Sequence, residues 1–438
     1  MTRFALSPQL SYRHLADQVI VVDHRRAELL RLNRAAGDVL DGLDRGQRDW
    51  SDDDLEFIAA LRERGWIVTD DEHSSDAAAA ENLPEAVAPG GSSERRALID
   101  RLNDLAAESL VPLHAQLELT YRCPLACSHC YLHSERQSAM AELSTEEVTG
   151  LLDELAQLGT LFLLLTGGEI FARDDLEPIV RHARERRFAV TLLTSGFDLD
   201  RELMTRLAWQ GLDCVQVSLH GADAATHETM TGVPGSFAAA LFTLRFFRDL
   251  GVRTQAAITV TRNNLDSLEA MLELCARERI APNLSHYVEP RRDGSREPQS
   301  LLVDEAGLHR IEQLLPSAGA ARLAGREASD RPCGAGASTV AVDPQGTVYP
   351  CHTLRIPVGS LRNESLRDIW AQSKKLQEIR GIKTEDLDEC LSCEHRSHCN
   401  RCAGFAVAEG LPITGHSPFD CLLSRVIGSE KERRSESS

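Results

Sequence analysis

Aromatic residues are scarce, at 5% of a 438-residue chain. Basic residues are outnumbered: 48 Lys and Arg stand against 67 Asp and Glu, a formal net charge of −19. Such a surface repels polyanions, so nucleic acid is not expected as a partner. No apolar run is long enough to span a bilayer, so no membrane partner is expected either. The N-terminus has no apolar h-region or small-residue cleavage site, so export is not expected and a cytoplasmic location is. No cysteine precedes Cys123, yet the chain has twelve. Without an export signal, these point to metal or redox chemistry rather than a disulfide framework. Hydrophobic residues make up 42%, enough for roughly two to four packed domains.

Residues 1–72 read as a small independent unit. Asp17–Asp23 and Ala27–Asn33 suit the strands of a hairpin, joined by a polar turn at His24, Arg25 and Arg26. Asn33 can cap a helix carrying Val39, Leu40 and Leu43. Ser51 can cap a second, with Leu55, Ile58 and Leu61 on one face. Trp66–Val68 suits a short closing strand. Residues 73–110 read as linker and helix, the stretch from Asp70 to Ser93 being rich in Ala, Ser, Pro, Glu and Gly. Residues 111–300 alternate apolar strands with helices, which implies an α/β fold with a parallel sheet and crossovers. The strand candidates are Gln116–Leu119, Leu161–Leu165, Ala189–Leu193, Val215–Leu219, Ala256–Val260 and Leu284–Val288. They suggest a barrel or partial barrel with function at the strand C-termini. Residues 301–330 bridge to a Cys-rich, loop-rich region at 331–425 with too little aliphatic periodicity for its own core, so metal is expected to hold it together. Residues 426–438 read as a tail.

Three cysteines, Cys123, Cys127 and Cys130, follow the first barrel strand with CxxxCxxC spacing. Structural zinc normally takes four closed ligands. A three-thiolate loop fits an open [4Fe–4S] cluster better, with one iron left for another ligand. Gly167-Gly168-Glu169 ends the second strand, Thr194-Ser195-Gly196 the third and Ser218 the fourth. Glycine pairs at strand ends are ordinarily turns; here they would also let backbone approach a ligand. Together these motifs resemble the radical S-adenosylmethionine (SAM) family. The resemblance implies a (β/α)6 partial barrel that binds SAM and a [4Fe–4S] cluster. It assigns Gly167, Gly168 and Glu169 to the methionyl amino group, Ser218 to the methionyl or ribose end, His129 to adenine, and Thr194 to the same pocket. It also implies a 5′-deoxyadenosyl radical that removes hydrogen from carbon, and an external one-electron reductant. One departure concerns a His-Asp-x-x-Arg stretch whose arginine reaches the SAM carboxylate in sulfatase maturases. Here the stretch is His227-Glu228-Thr229-Met230, without a cation, and Arg262 is the substitute candidate.

A second cysteine pattern is Cys333-x12-Gly346-x4-Cys351, then Cys390-x2-Cys393-x5-Cys399-x2-Cys402, then Cys421. A pair of zinc ribbons would explain it by itself. With Gly346-Thr-Val-Tyr-Pro-Cys351 it resembles the SPASM domain of radical SAM peptide maturases, which implies two auxiliary [4Fe–4S] clusters. The family's crossed ligation assigns Cys333, Cys351 and Cys402 to one and Cys390, Cys393, Cys399 and Cys421 to the other. The spacing before Cys402 is one residue shorter than the commonest form. Sulfatase maturases carry an Asp base directly after the equivalent of Cys351; here His352 stands there as the candidate base. Cys214 and Cys275 suit buried packing.

Residues 1–72 resemble the winged-helix-like PqqD-type element that recognises leader peptides by strand addition. The candidate contacts are Ala27–Leu32 and the helix face near Leu55 and Ile58. A DNA-binding winged helix is the alternative, against which basic charge is sparse: Arg25, Arg26, Arg31 and Arg34 form the only local cluster. Together the resemblances imply a maturase of a ribosomally made precursor peptide, forming a thioether or other crosslink. The alternatives are a maturase of a folded protein, of sulfatase or dehydrogenase type, and a non-catalytic scaffold that presents a peptide.

Overall fold

A computed structural model describes residues 4–24, 26, 28–47, 49–69, 93–132, 141–315, 323–387 and 389–436. The expected linker at 70–92 and the residues Arg25 and Ala27 lie outside the described residues.

The N-terminal unit holds the expected hairpin, β3 (Gln18–Asp23) antiparallel to β4 (Glu28–Asn33). Two strands that the sequence reading did not assign precede it. β1 (Phe4–Leu6) pairs with β5 (Ile67–Thr69), and β2 (Leu10–Leu15) pairs with β3. β4 is therefore one edge of a three-stranded sheet in the order β2-β3-β4. Asn33 caps the helix Arg34–Asp44, its side chain accepting from the Ala36 amide. Ser51 caps Asp52–Glu63 in a reciprocal capping box with Asp54. On that second helix Ile58 and Leu61 are buried, but Leu55 is 44% exposed, so the expected apolar face is narrower than its spacing suggests.

Six parallel strands follow in sequence order: β6 (His114–Thr120), β7 (Phe162–Gly167), β8 (Ala189–Thr194), β9 (Cys214–Ser218), β10 (Thr254–Thr259) and β11 (Ala281–Ser285). The ladder stays open between β11 and β6, so the barrel is partial. Leu117 and Leu119 of β6 pack with Val148 and Leu151 of the helix Thr145–Gln157. Alternation then turns Gln116 and Glu118 to the concave face. The last strand lies earlier than the apolar run Leu284–Val288 suggested. It is an edge strand with one partner, β10, and so accommodates Pro282 and needs no continuous apolar face. Tyr287 and Val288 lie beyond it, Tyr287 stacking on Phe405 with ring centroids 3.6 Å apart.

The Cys-rich region is not a separate, coreless unit. β12 (Thr339–Val342) runs parallel beside β6, and β13 (Thr347–Tyr349) and β14 (Gly359–Ser360) extend the same sheet antiparallel. Val340, Val342, Val348, Leu366, Ile369 and Leu376 join the barrel's core. The expected tail is also structured. Helix Pro418–Glu436 buries Val426 and Ile427 and packs on the helix Glu305–Leu314, in the bridging segment.

The N-terminal unit is not independent of the barrel. Leu15, Ile20 and Val22 share a core with Leu102, Leu113, Leu161 and Ala189. Arg184 is fully buried between them and donates to Ser11 Oγ (2.6 Å), to the Pro8 carbonyl (2.6 Å), and to the Leu10 and Phe188 carbonyls. Burial lowers its pKa to about 9, so it stays charged at neutral pH. Arg13 Nε donates to the Thr160 carbonyl at 2.7 Å, and His24 Nδ1 lies 3.1 Å from Asp213 Oδ1. Thr160, Phe188 and Asp213 all stand just before strands, so the unit docks on the N-terminal end of the barrel. Replacing Arg184 by Met strands buried carbonyls without donors, at a cost of about 1–3 kcal/mol. Urea unfolding followed by tryptophan fluorescence should show that loss, and in the wild type the N-terminal unit should not melt in a transition of its own.

Candidate active site

The site forms where β6, β7, β8 and β9 end. The cysteine loop leaves β6 at Tyr121 and is tied down by backbone hydrogen bonds on two sides. On one side the amides of Gly168 and Glu169 donate to the carbonyls of Thr120 (2.7 Å) and Arg122 (2.8 Å). On the other, the amides of Ala126 and Ser128 donate to the carbonyls of Thr231 (2.9 Å) and Met230 (3.0 Å). Those acceptors end the helix Ala224–Thr231, which contains the His227–Met230 stretch. That stretch brings no cation; it holds the cysteine loop by main chain. The substitute candidate, Arg262, is exposed and donates to the Leu302 carbonyl.

Gly167 and Gly168 owe their small size to the chain's own backbone. Gly167 has φ +144°, and a Cβ there would collide with the Thr120 carbonyl; one at Gly168 would collide with the carbonyls of Arg122 and Tyr121. The close approach expected toward a ligand is thus an approach to the cysteine loop. Glu169 is buried. Its carboxylate accepts from Thr194 Oγ1 (2.7 and 2.8 Å), from the Ser195 amide (2.8 Å) and hydroxyl (2.5 Å), and from the Phe171 amide (3.2 Å). Thr194 therefore acts through Glu169. Burial raises the Glu169 pKa and the hydrogen bonds oppose the rise, with no cation beside it among the described residues. A buried carboxylate of this kind suits a ligand ammonium. Ser218 is half-buried at the end of β9. His129 meets the His220 ring edge-on at 4.5 Å, and the His227 ring stacks behind His220 at 5.7 Å. Burial pushes the His220 pKa well down, so this neighbour of His129 is neutral.

The later cysteines fall into two groups. Burial pushes the Cys351 thiol up to about 12, with Cys333 and Cys402 near enough to raise it further. Burial also pushes Cys421 up to about 11, beside Cys399, Cys390 and Cys393. Among the described residues no three of these side chains converge closely enough to hold a single metal ion. Arg401, fully buried, donates to the carbonyls of Ile413 and Gly415 and so pins the Cys399–Cys402 loop to the segment leading to Cys421. Asp420 Oδ2 accepts from the Cys402 amide at 2.7 Å and ties the two groups together. Thiols grouped in this way suit iron–sulfur clusters, whose binding would displace their protons. Cys214 and Cys275 are buried, as expected of packing residues. His352, the candidate base, is exposed.

A further polar group, buried in the sheet, was not singled out in the sequence. Glu118 of β6 accepts from Arg292, from Arg355 (3.1 Å), from Tyr121 (3.0 Å) and from Tyr131 (3.3 Å). Tyr121 and Tyr131 flank the cysteine loop, and Arg355 follows Cys351 by four residues. Glu118 thereby joins the barrel, the cysteine loop and the auxiliary region. The one signal for it was a carboxylate alternating with Leu117 and Leu119 in a barrel strand.

Residues 117–275 match the model of the radical SAM superfamily, and residues 333–402 match that of SPASM, an iron–sulfur cluster-binding domain. The chain is 31% identical over 343 residues to the PqqA peptide cyclase of Granulibacter bethesdensis, covering 72% of this chain and 88% of that one. It is 26% identical to the AdoMet-dependent heme synthase of Nitratidesulfovibrio vulgaris, covering 65% and 85%. Its fold is similar to Streptococcus suis SuiB bound to S-adenosylmethionine, at TM-score 0.62 and 15% identity over 95% of this chain and 99% of that one. The chain belongs to the radical SAM superfamily. It is a radical SAM enzyme with a SPASM extension, and its cofactors are SAM, the [4Fe–4S] cluster that binds SAM, and auxiliary iron–sulfur clusters. Cluster and SAM together supply a carbon radical strong enough to take hydrogen from an unactivated C–H bond.

Anaerobic reconstitution should load about twelve iron atoms, as three cubanes. Replacing Cys123, Cys127 and Cys130 together by Ala should remove one cluster and all reductive SAM cleavage; iron analysis and 5′-deoxyadenosine assay read both. Zinc as the sole metal would contradict the assignment. Glu169→Gln should weaken SAM binding at least about tenfold in equilibrium dialysis. In the wild type, affinity should fall on acidification, as the raised Glu169 pKa is approached and its carboxylate takes up a proton.

Proposed function

We propose that the chain matures a ribosomally made precursor peptide. It binds a leader segment through its N-terminal unit and removes hydrogen from a core residue in the barrel, forming a thioether or other crosslink. The observation that carries this reading is β4, a sheet edge whose outer N–H and C=O groups offer a template for one more strand. Leu29 and Leu30 are half-buried on that strand, and the exposed Leu55 provides apolar surface on the helix Asp52–Glu63 of the same unit. The comparisons support a peptide substrate. The 31% identical relative is a peptide cyclase, and a fold likeness at TM-score 0.63 and 14% identity, over 96% of this chain and 100% of that one, is to SuiB bound to its precursor peptide SuiA. In this reading Cys123, Cys127 and Cys130 hold the SAM cluster. Cys333, Cys351 and Cys402 hold one auxiliary cluster, and Cys390, Cys393, Cys399 and Cys421 the other. Gly167, Gly168, Glu169, Ser218, His129 and Thr194 form the SAM pocket. An external donor reduces the enzyme in the cytoplasm.

The docking of the N-terminal unit adds a constraint. It sits at the opposite end of the strands from the cysteine loop, about 20 Å away for strands of this length. The recognised segment and the reacting residue must then be separated by at least about six extended residues.

Co-expression with each short reading frame beside the gene, followed by mass spectrometry, tests the reading. It expects a product a few hydrogens lighter than the peptide, lost in a Cys351→Ala variant. Unmodified peptides throughout would count against it. Leu30→Pro removes a backbone donor and fixes φ at the edge strand. It should weaken peptide binding at least about tenfold by fluorescence anisotropy. The check of folding belongs on the whole chain, because residues of β2 and β3 share a core with the barrel.

A further inference from the structure

Oxidative closure of a peptide removes two hydrogens, and only one leaves as an atom. A C–H bond and a Y–H bond are replaced by one C–Y bond, where Y is sulfur, oxygen or carbon. One hydrogen atom goes to the carbon radical that SAM supplies. The other hydrogen would leave as a proton, its electron being taken up by an auxiliary iron–sulfur cluster when one is bound at the later cysteines. The proton needs an acceptor beside the reacting carbon. His352 is exposed, Glu169 is committed to Thr194 and Ser195, and Glu118 is saturated by four donors.

Glu289 differs from all three. It lies four residues past the end of β11, at the functional end of the barrel. Its side chain is half-buried and makes no hydrogen bond or ion pair among the described residues, although Arg292, Arg355 and Glu118 are within electrostatic range. Tyr131 of the cysteine loop and Tyr287 of its own segment also sense its charge. Opposite it, Arg355 spends Nη2 on Glu118, while its Nη1 is buried with no acceptor among the described residues. Arg292, three residues on from Glu289, donates to the same Glu118, and its amide donates to the Tyr131 carbonyl at 3.1 Å, so a carboxyl without a donor and a guanidinium N–H without an acceptor among the described residues border the Glu118 cluster beside the cysteine loop. Both unmet groups suit a peptide: the N–H for a backbone or side-chain oxygen, the carboxylate for the departing proton.

We propose that Glu289 is the proton acceptor in peptide oxidation, with Arg355 Nη1 holding the substrate oxygen beside it. The assignment rests on the reading of the chain as a peptide maturase. The electrostatics agree with it. Burial raises the Glu289 pKa to about 7, Arg292 and Arg355 oppose the rise, and Glu118 adds to it. The base is then ionised above neutrality and lost as pH falls through about 7.

Two measurements test this. The first needs no peptide. Infrared difference spectra of the reconstituted full chain between mildly acidic and mildly alkaline pH should contain a protonated-carboxyl band that titrates near neutrality and is missing in Glu289→Gln. Absence of a Glu289-dependent band overturns the assignment. The second uses the peptide that co-expression shows to be modified. Glu289→Gln should lower product formation at least about 100-fold and raise the ratio of 5′-deoxyadenosine to product, while Glu289→Asp restores part of the yield. Product formation in the wild type should rise with pH through neutrality, and that rise should be absent in Glu289→Gln. Wild-type yield from Glu289→Gln overturns the proposal. If the wild type modifies no peptide, the maturase reading fails, and the infrared titration alone decides whether Glu289 titrates as stated.

Discussion

The cysteine loop and the turn that follows β7 touch through bare backbone, and the site depends on that contact. Side chains at Gly167 or Gly168 would strike the carbonyls of Thr120, Tyr121 and Arg122. With glycine at both positions, the carbonyls of Thr120 and Arg122 accept the amides of Gly168 and Glu169 instead. The distance between the thiols of the cysteine loop and the Glu169 carboxylate is thereby set by main-chain hydrogen bonds, which vary little. A ligand that must reach both a cluster iron and a carboxylate gains from such fixed spacing, because little ordering remains to be done on binding. The Met230 and Thr231 carbonyls hold the loop from its other side, so it is braced by two strand ends and a helix end.

Glu118 extends this bracing to the auxiliary region. Two arginines and two tyrosines converge on one carboxylate inside the sheet, where burial makes each unmet group costly. Arg292 also stacks on Tyr121 and Tyr131, and Arg355 lies 3.9 Å from the Tyr349 ring centroid. The segment of Cys351 is therefore fixed relative to the cysteine loop by ion pairs and stacking, and the sheet through β12 fixes it again. The Cys-rich region is one body with the barrel, sharing its sheet and its core. Metal is not its only source of order.

Much of this was legible in the sequence because the signals are local. Spacing marks the cysteine groups, apolar runs mark the inner strands, and Asn33 and Ser51 mark helix starts, each accepting from an amide as expected. What escaped depends on tertiary partners. β11 is an edge strand with Pro282, so its run of residues carries no apolar signature. β12 pairs with β6, a barrel strand more than two hundred residues earlier in the chain, and takes its hydrophobic burial there. Arg184 looks like a surface helix residue until its oxygen partners arrive from Pro8, Leu10 and Ser11, in and just before β2. Glu289 reads as one more acidic residue beside a proline; only the surrounding Glu118, Arg292 and Arg355 set it apart.

The central claim is that the cysteine loop and the Glu169 turn hold one SAM between them at a cluster iron. Electron paramagnetic resonance of the reduced, reconstituted chain tests it most directly, comparing spectra with and without SAM in the wild type and in Gly168→Ala. The account predicts that SAM reshapes the wild-type cluster signal. In Gly168→Ala, where the turn is forced off the loop, it predicts a cluster signal that SAM leaves unaltered. A wild-type signal indifferent to SAM, or a Gly168→Ala signal that responds as the wild type does, would contradict it.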